Sequence, residues 1–383
     1  MVRFLNNDEL LEISTNEKVF GIPFKLNNEE RVFNNNYSTL IVGEDQKQNV
    51  DKILFPMINN ISCVGESFLV NDLKGNLYNK SYDLLKDKGY KIVLLDLDNV
   101  DSSDKYNPLE SAIESYSKNI DLTIDQLENI ANYIFISPAG SDPFWCNCAS
   151  KLFIGTALYL LENKIDLNLK NIFDYSKKID IKIVDEKSMT FNFLSGVLDT
   201  PDDTKGSIIA VFNDYMSSFV TKNSVLNFLS STTFDINNLE KTAIFVKNDF
   251  NDLCNIIIPI LVKELFCNLK SSNVKFNFLL DNFSNIKPIK NFIKLFTYSD
   301  NINFTLFIKS FSSLKDAYGI EICETIKGFS RNILYLFSND VNTLNDIIKL
   351  CGDVVSIEDL RNFKENEAIL LMIRKMPIKI NLV

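Results

Sequence analysis

The stretch Tyr37 to Pro56, YSTLIVGEDQKQNVDKILFP, decides how the rest of the chain is read. Thr39 to Val42 is an apolar, β-branched run that suits a buried strand, Gly43 breaks it, and Val50 to Ile58 resumes an apolar pattern of helical spacing. Strand, loop and helix in that order are the setting of a phosphate-binding loop, G-x-x-x-x-G-K-[ST]. Counted from Gly43, the positions for glycine, lysine and hydroxyl hold Gln48, Asn49 and Val50. No second glycine lets backbone amides curl round a phosphate, no ammonium meets its charge, and no hydroxyl holds magnesium. The expectation is a nucleotide-binding scaffold without its chemistry.

Composition narrows the classes further. With 383 residues, 46% of them apolar, the chain can bury one large core or two smaller ones. The longest apolar stretch, Leu253 to Leu269, is broken by Pro259, Lys263 and Glu264, and the N-terminus MVRFLNNDELLEIS has no signal-peptide core, so no membrane span and a cytoplasmic location are expected. Seven cysteines, an odd number, are scattered through mostly apolar segments, as in reduced intracellular proteins. Cys146 and Cys148 form a lone CxC with no second pair to complete a metal site, and packing is the better reading. The absence of histidine excludes Ser-His, Cys-His and histidine-ligated metal mechanisms. A formal charge of -10 with only five arginines argues against direct nucleic-acid binding by a basic surface.

Periodicity divides the chain into α/β, helical and again α/β parts. Strands are expected at Thr39 to Val42, Ser67 to Val70 and Lys91 to Asp96, with helices near Val50 to Ile58 and Asn76 to Lys88. Helical spacing then dominates: Asp125 to Ile136, Pro143 to Glu162, Leu169 to Lys177, Lys187 to Leu198 and Thr204 to Ser217. Strands return at Thr242 to Val246, Val274 to Leu280, Asn303 to Ile308 and Asn332 to Phe337, with an edge hairpin at Ala368 to Ile373 and Ile378 to Leu382. The intervening helices are expected at Asp252 to Ser271, Ile286 to Ser299, Ser313 to Ala317 and Asn342 to Leu350. Neither group of strands suffices for a covered parallel sheet, so the two must pair. The expected organisation is a discontinuous α/β domain, 1–119 and 229–383, interrupted by an all-α subdomain at 120–228.

Five segments fall in order along one family. Ser67 to Lys80 (SFLVNDLKGNLYNK), Tyr90 to Leu109 (YKIVLLDLDNVDSSDKYNPL), Asp142 to Leu161 (DPFWCNCASKLFIGTALYLL), Phe276 to Phe283 (FNFLLDNF) and Phe307 to Gly319 (FIKSFSSLKDAYG) resemble the ATPase domain of type IV secretion coupling proteins, the TraG-type conjugation ATPases. The resemblance runs from about Leu40 to Ala368. It implies a RecA-like P-loop NTPase fold with a mostly parallel sheet and an inserted all-α subdomain. It also implies hexameric motors that recruit DNA-relaxase complexes or effector proteins to a secretion channel.

The departures fall on the family's active site. Its P-loop lysine and Ser/Thr align with Asn49 and Val50, while the proline after the first helical turns is kept as Pro56. Its Walker B strand ends Asp-Glu, but here the pair is Asp281-Asn282, and an amide has no basic lone pair to polarise an attacking water. Its γ-phosphate-sensing glutamine falls on Lys309. Losing the lysine removes charge-assisted contacts worth roughly 1.5–3 kcal/mol each, and losing the base costs a further factor of roughly 10² to 10⁴ in rate. The family carries a membrane anchor before the motor, and none is expected in this chain. Asp72, Lys74 and Gly75 read equally as a polar turn after a strand or as a retained functional loop.

The combined expectation is a catalytically degenerate, pseudo-ATPase subunit of a type IV secretion or conjugative transfer machine that binds protein partners or cargo. Its degenerate nucleotide site comprises Gly43, Gln48, Asn49, Val50, Asp281, Asn282 and Lys309, and neither metal nor cofactor is expected. One alternative is a nucleotide-binding coupling ATPase that uses ATP and Mg through a displaced lysine, Lys47 or Lys52, and moves DNA-protein substrates. The other is a structural or inhibitory partner of an active paralogue in a mixed ring, consistent with an oligomer.

Overall fold

The computed structural model describes residues 3–34, 38–137, 140–249, 253–298 and 300–383. By internal contacts the chain divides into two compact units. One comprises Met1–Leu94, Ile236–Phe250 and Leu265–Val383, the other Leu95–Asp235 and Asn251–Glu264. The second unit is broader than the 120–228 expected from helical spacing and takes in residues on both sides of that range.

An eleven-stranded sheet organises the chain, with strands β1 (Gly21–Leu26), β2 (Glu29–Asn34), β3 (Thr39–Gly43), β4 (Ser67–Leu73), β5 (Lys91–Asp96), β6 (Thr242–Asn248), β7 (Phe276–Leu280), β8 (Ile302–Ile308), β9 (Asn332–Phe337), β10 (Glu367–Met372) and β11 (Ile378–Asn381). Their order is β2-β1-β11-β10-β9-β3-β8-β7-β4-β6-β5. β3 pairs in parallel with β8 and β9, and β4 in parallel with β6 and β7, so strands early in the chain alternate with strands late in it. Every residue of β3, β4 and β7 is buried, as parallel strands covered on both faces require. The core cluster around Ile41, Ile53, Ile58, Phe68, Phe245, Leu279 and Leu334 fills one such face.

Three expectations are corrected here. The hairpin of β10 and β11 is internal to the sheet, because β1 and β2 lie outside it: β1 pairs antiparallel with β11 and with β2. The β1–β2 turn is Asn27-Asn28, both residues at positive φ (52° and 66°), which is the geometry of a two-residue hairpin turn. The single helix expected over Ile286 to Ser299 is a 3₁₀ turn at Phe283–Asn285 and a short helix at Phe292–Phe296. Pro288 disfavours helical backbone at the residue before it, and Ile286 is already extended. Tyr37, which begins the stretch quoted first, and Asp252 and Ser299, which bound expected helices, lie outside the described residues. Third, the helix expected at Ser313 to Ala317 is longer, Phe311–Tyr318, and a second helix, Ile320–Phe329, follows Gly319.

The second unit is mainly helical. The helix Phe144–Glu162 packs closely on Met189–Leu198, where a Cβ at Gly155 would lie 2.6 Å from the Leu194 side chain. Phe135 joins Phe153 and Phe212 in its core, at ring separations of 5.9 and 5.5 Å. Among the described residues Phe144–Glu162 is the one helix long and apolar enough to cross a membrane, and 61% of that window is buried within the protein. Cys146 and Cys148 are buried on this helix, with Cys146 facing the Tyr215 hydroxyl.

Candidate functional site

Parallel strands deliver their carboxyl ends to one edge of the sheet, where open α/β folds place ligands. A cavity of about 260 Å³ opens there. Its wall is built from the residues that end β3 (Gly43, Glu44 and, from the helix beyond, Asn49), β4 (Leu73, Lys74), β6 (Asp249), β7 (Asp281, Asn282) and β8 (Lys309). Gly43, Asn49, Asp281, Asn282, Lys309 and Lys74 from the sequence reading therefore meet in one place. Gln48, Val50, Asp72 and Gly75 are not part of the wall.

A buried amide ladder ties together the strands that carry part of this wall. Asn248 on β6 donates to the side-chain oxygen of Asn71 on β4, and Asn71 donates to the backbone oxygen of Asp281 at 2.8 Å. Both asparagines are fully buried, so the bonds between three neighbouring strands satisfy polar groups that have no water. Asp281 is 2% exposed, and its carboxylate accepts the amide of Asn282 at 2.9 Å. Asn282 takes the left-handed conformation (φ 50°, ψ 41°) that asparagine tolerates better than most residues.

The turn after β3 is shorter than a phosphate-binding loop. Glu44 and Asp45 alone separate Gly43 from the helical segment starting at Gln46, which continues as a π-helix, Asn49–Leu54, and then as Phe55–Val64. Pro56 lies at the start of that last piece. A proline within a helix lacks its amide donor and crowds the carbonyl four residues back, and the wider π turn just before it accommodates both defects. Asp45 caps the segment: its Oδ1 accepts from the amides of Lys47 (2.9 Å) and Gln48 (3.2 Å). Glu44 turns the other way and accepts from Ser338 Oγ (2.8 Å) and from the backbone and side-chain nitrogens of Asn339 (2.7 and 3.2 Å), just past β9.

The side chains of Gln48, Asn49 and Val50 are each engaged within the protein. Gln48 donates to the backbone oxygen of Glu365. Val50 is buried in the core. Asn49 is 4% exposed and donates to the backbone oxygen of Gly43 at 3.2 Å, while its Oδ1 has no hydrogen-bond partner among the described residues. A Cβ on Gly43 would lie 2.6 Å from that Oδ1, so this close approach requires glycine. Lys47 and Lys52 do not line the cavity; Lys74 and Lys309 do.

The Asp72 turn is a helix cap. Asp72 is fully buried and its carboxylate accepts from the amides of Leu77 (3.1 Å) and Tyr78 (2.8 Å), at the start of the helix Asn76–Asp87. Burial pushes its carboxyl up to about 6, against the pull of those amides and of Lys247. Lys74 and Gly75 between them both have positive φ, 64° and 74°. Sequence reasoning missed Glu44, Asp45 and Asp249, of which Asp249 had a signal, since it directly follows a strand of the same sheet.

Residues 56–367 match the family model described as "Type IV secretory system Conjugative DNA transfer". The chain belongs to that family. No curated protein matches it in sequence. Among solved structures it is similar to the bacterial conjugative coupling protein TrwB in an unbound form, with a TM-score of 0.71 at 13% identity over 100% of this chain and 92% of that one. TrwB in complex with ADP and Mg2+ gives the same TM-score at 12% identity, covering 100% and 93%. VirB4 of Thermoanaerobacter pseudethanolicus follows at 0.66 and 11% identity, covering 95% and 96%. At these identities the likeness carries the fold: a RecA-like P-loop ATPase fold, as the family membership implies.

Proposed function

We propose that this protein serves a type IV secretion or conjugative transfer machine as a coupling-protein-family subunit that neither holds nor hydrolyses nucleotide and acts through protein partners. The observation that carries the reading is Asn49, a buried amide bonded beneath Gly43 where the phosphate-binding lysine would stand. Asn282 beside Asp281 supports it, because an amide takes no proton from water at neutral pH. TrwB is described in complex with ADP and Mg2+. The residues here do not fit such a group: no hydroxyl stands at Val50, and the amides at the start of the helix already bond Asp45.

A second reading, a nucleotide-binding coupling ATPase, is favoured by one observation, the two lysines Lys74 and Lys309 on the cavity wall. Calorimetric titration with magnesium-ATP, followed by hydrolysis assays with and without single-stranded DNA, separates the two. The proposed reading expects no binding at submicromolar to micromolar concentrations and no turnover above the blank. Micromolar binding with DNA-stimulated turnover that is lost in Lys309→Ala establishes the second reading instead. Partners should then be sought by crosslinking the intact chain within the assembled secretion machine.

A further inference from the structure

A missing lysine and a missing base leave a site unattended; the turn after β3 goes further. An anion held at a helix start needs backbone amides that point at it and are not already bonded. Here the amides of Lys47 and Gln48 both donate to one oxygen of the Asp45 carboxylate, and the amide of Asn49 donates to the Asp45 backbone oxygen at 3.0 Å. The Glu44 amide donates to the Phe337 backbone oxygen at 3.2 Å, and its carboxylate is held by Ser338 and Asn339. A two-residue turn fastened at both residues cannot widen into a five-residue loop without breaking these bonds.

An independent observation lies beside it. Asn49 lines the same cavity, and its Oδ1, packed against Gly43, is a buried acceptor without a hydrogen-bond partner among the described residues. A buried acceptor left unpaired attracts a donor and repels an oxyanion. One carboxylate, that of Asp45, thus holds the amides that a phosphate would need, while the Glu44 carboxylate is fastened to Ser338 and Asn339 on the other side of the turn.

We propose that Asp45 is a standing, built-in occupant of the anion position, and that Glu44 latches it there, so that the chain excludes polyphosphates by its own carboxylates. This inference rests on the reading of the site as nucleotide-free, and it makes a separate claim: Asp45 and Glu44 determine specificity, and restoring the lysine and hydroxyl does not restore binding. A phosphate reaches the amides of Lys47 and Gln48 only when Asp45 gives them up.

The test uses the full chain and two probes, magnesium-ADP and inorganic pyrophosphate, titrated calorimetrically. The variants are Asn49→Lys with Val50→Thr, the same pair with Glu44→Ser and Asp45→Gly added, and Glu44→Ser with Asp45→Gly alone. Asp45→Asn on the Asn49→Lys, Val50→Thr background keeps a capping oxygen and removes only the charge, which covers a failure of the glycine variant to fold. The expected result is no binding by the first variant and binding about a hundredfold tighter once the carboxylates are removed, the order that two charge-assisted hydrogen bonds supply. Equal affinity with and without the carboxylates overturns the inference, as does no binding by any variant that retains the circular dichroism of the parent. Nucleotide binding by the parent defeats the nucleotide-free reading and the inference with it, whereas a parent that binds neither probe, together with equal affinities across the variants, defeats this inference alone.

Discussion

Two turns at the same end of one sheet meet the same need differently. Both follow a buried parallel strand, both open a helix, and in both a carboxylate satisfies the first amides of that helix. After β4 the carboxylate belongs to Asp72, inside the strand, fully buried, reaching forward across two residues in left-handed conformation. After β3 it belongs to Asp45, in the turn itself and exposed, one residue from the wall of the cavity. The first is a structural cap whose removal would strand buried donors. The second sits where water can replace it, which is what a group that controls access to a site should tolerate.

That contrast is open to measurement. Asp72→Ala should cost the most, about 3 kcal/mol, because it removes a fully buried carboxylate to which the amides of Leu77 and Tyr78 both donate. Urea unfolding should show a lowered midpoint at unchanged slope, and a loss under 1 kcal/mol would erase the difference between the turns. The next effect is a dependence on pH. The folded-state pKa of Asp72, about 6, lies above its ordinary value of 3.8, so the folded protein binds more protons between the two. Stability is therefore present at the acidic end and falls as pH rises from about 4 to above 6, by about 3 kcal/mol. Asp72→Asn should flatten that part of the profile, and an unchanged profile would show that Asp72 is not its source.

Asp45→Ala should cost only about 0.5–1 kcal/mol, the worth of an exposed cap. A loss as large as that of Asp72→Ala would make Asp45 a structural group. Least of all, Lys80→Ala should change stability by about 0.5 kcal/mol or less. Lys80 pairs with Asp51 across the helical segments that follow the two turns, but both side chains are partly exposed. A larger loss would mean that the two turns are mechanically coupled.

Sequence reasoning reached the central strands because buried parallel strands are continuous apolar runs with punctuated ends, as in Thr39 to Val42 before Gly43 and Phe276 to Leu280 before Asp281. The same logic put Gly43, Asn49, Asp281, Asn282 and Lys309 at one edge, since each lies at or just past a strand end. It failed at β1 and β2, where Pro23 interrupts a strand and Asn27-Asn28 hides a turn in a chain rich in asparagine. It failed again at Ile286 to Ser299, where apolar spacing outweighed Pro288. The shortness of the Gly43–Gln46 turn was not legible either. Counting positions along G-x-x-x-x-G-K-[ST] presumes a five-residue loop, whereas turn length depends on where Asp45 starts the helix and how a π turn absorbs Pro56.

The pairing of β3 has a consequence for the birth of the protein. Its neighbours are Thr305 and Asn332 opposite Thr39, the second of them 332 − 39 = 293 positions later in the chain. At roughly 5–20 residues per second, a ribosome needs roughly 15 to 60 s to supply them. For that interval five wholly buried residues have no sheet to enter, and loop closure over such a span is slow. The edge that carries Gly43 is therefore completed only after both β8 and β9 have been made.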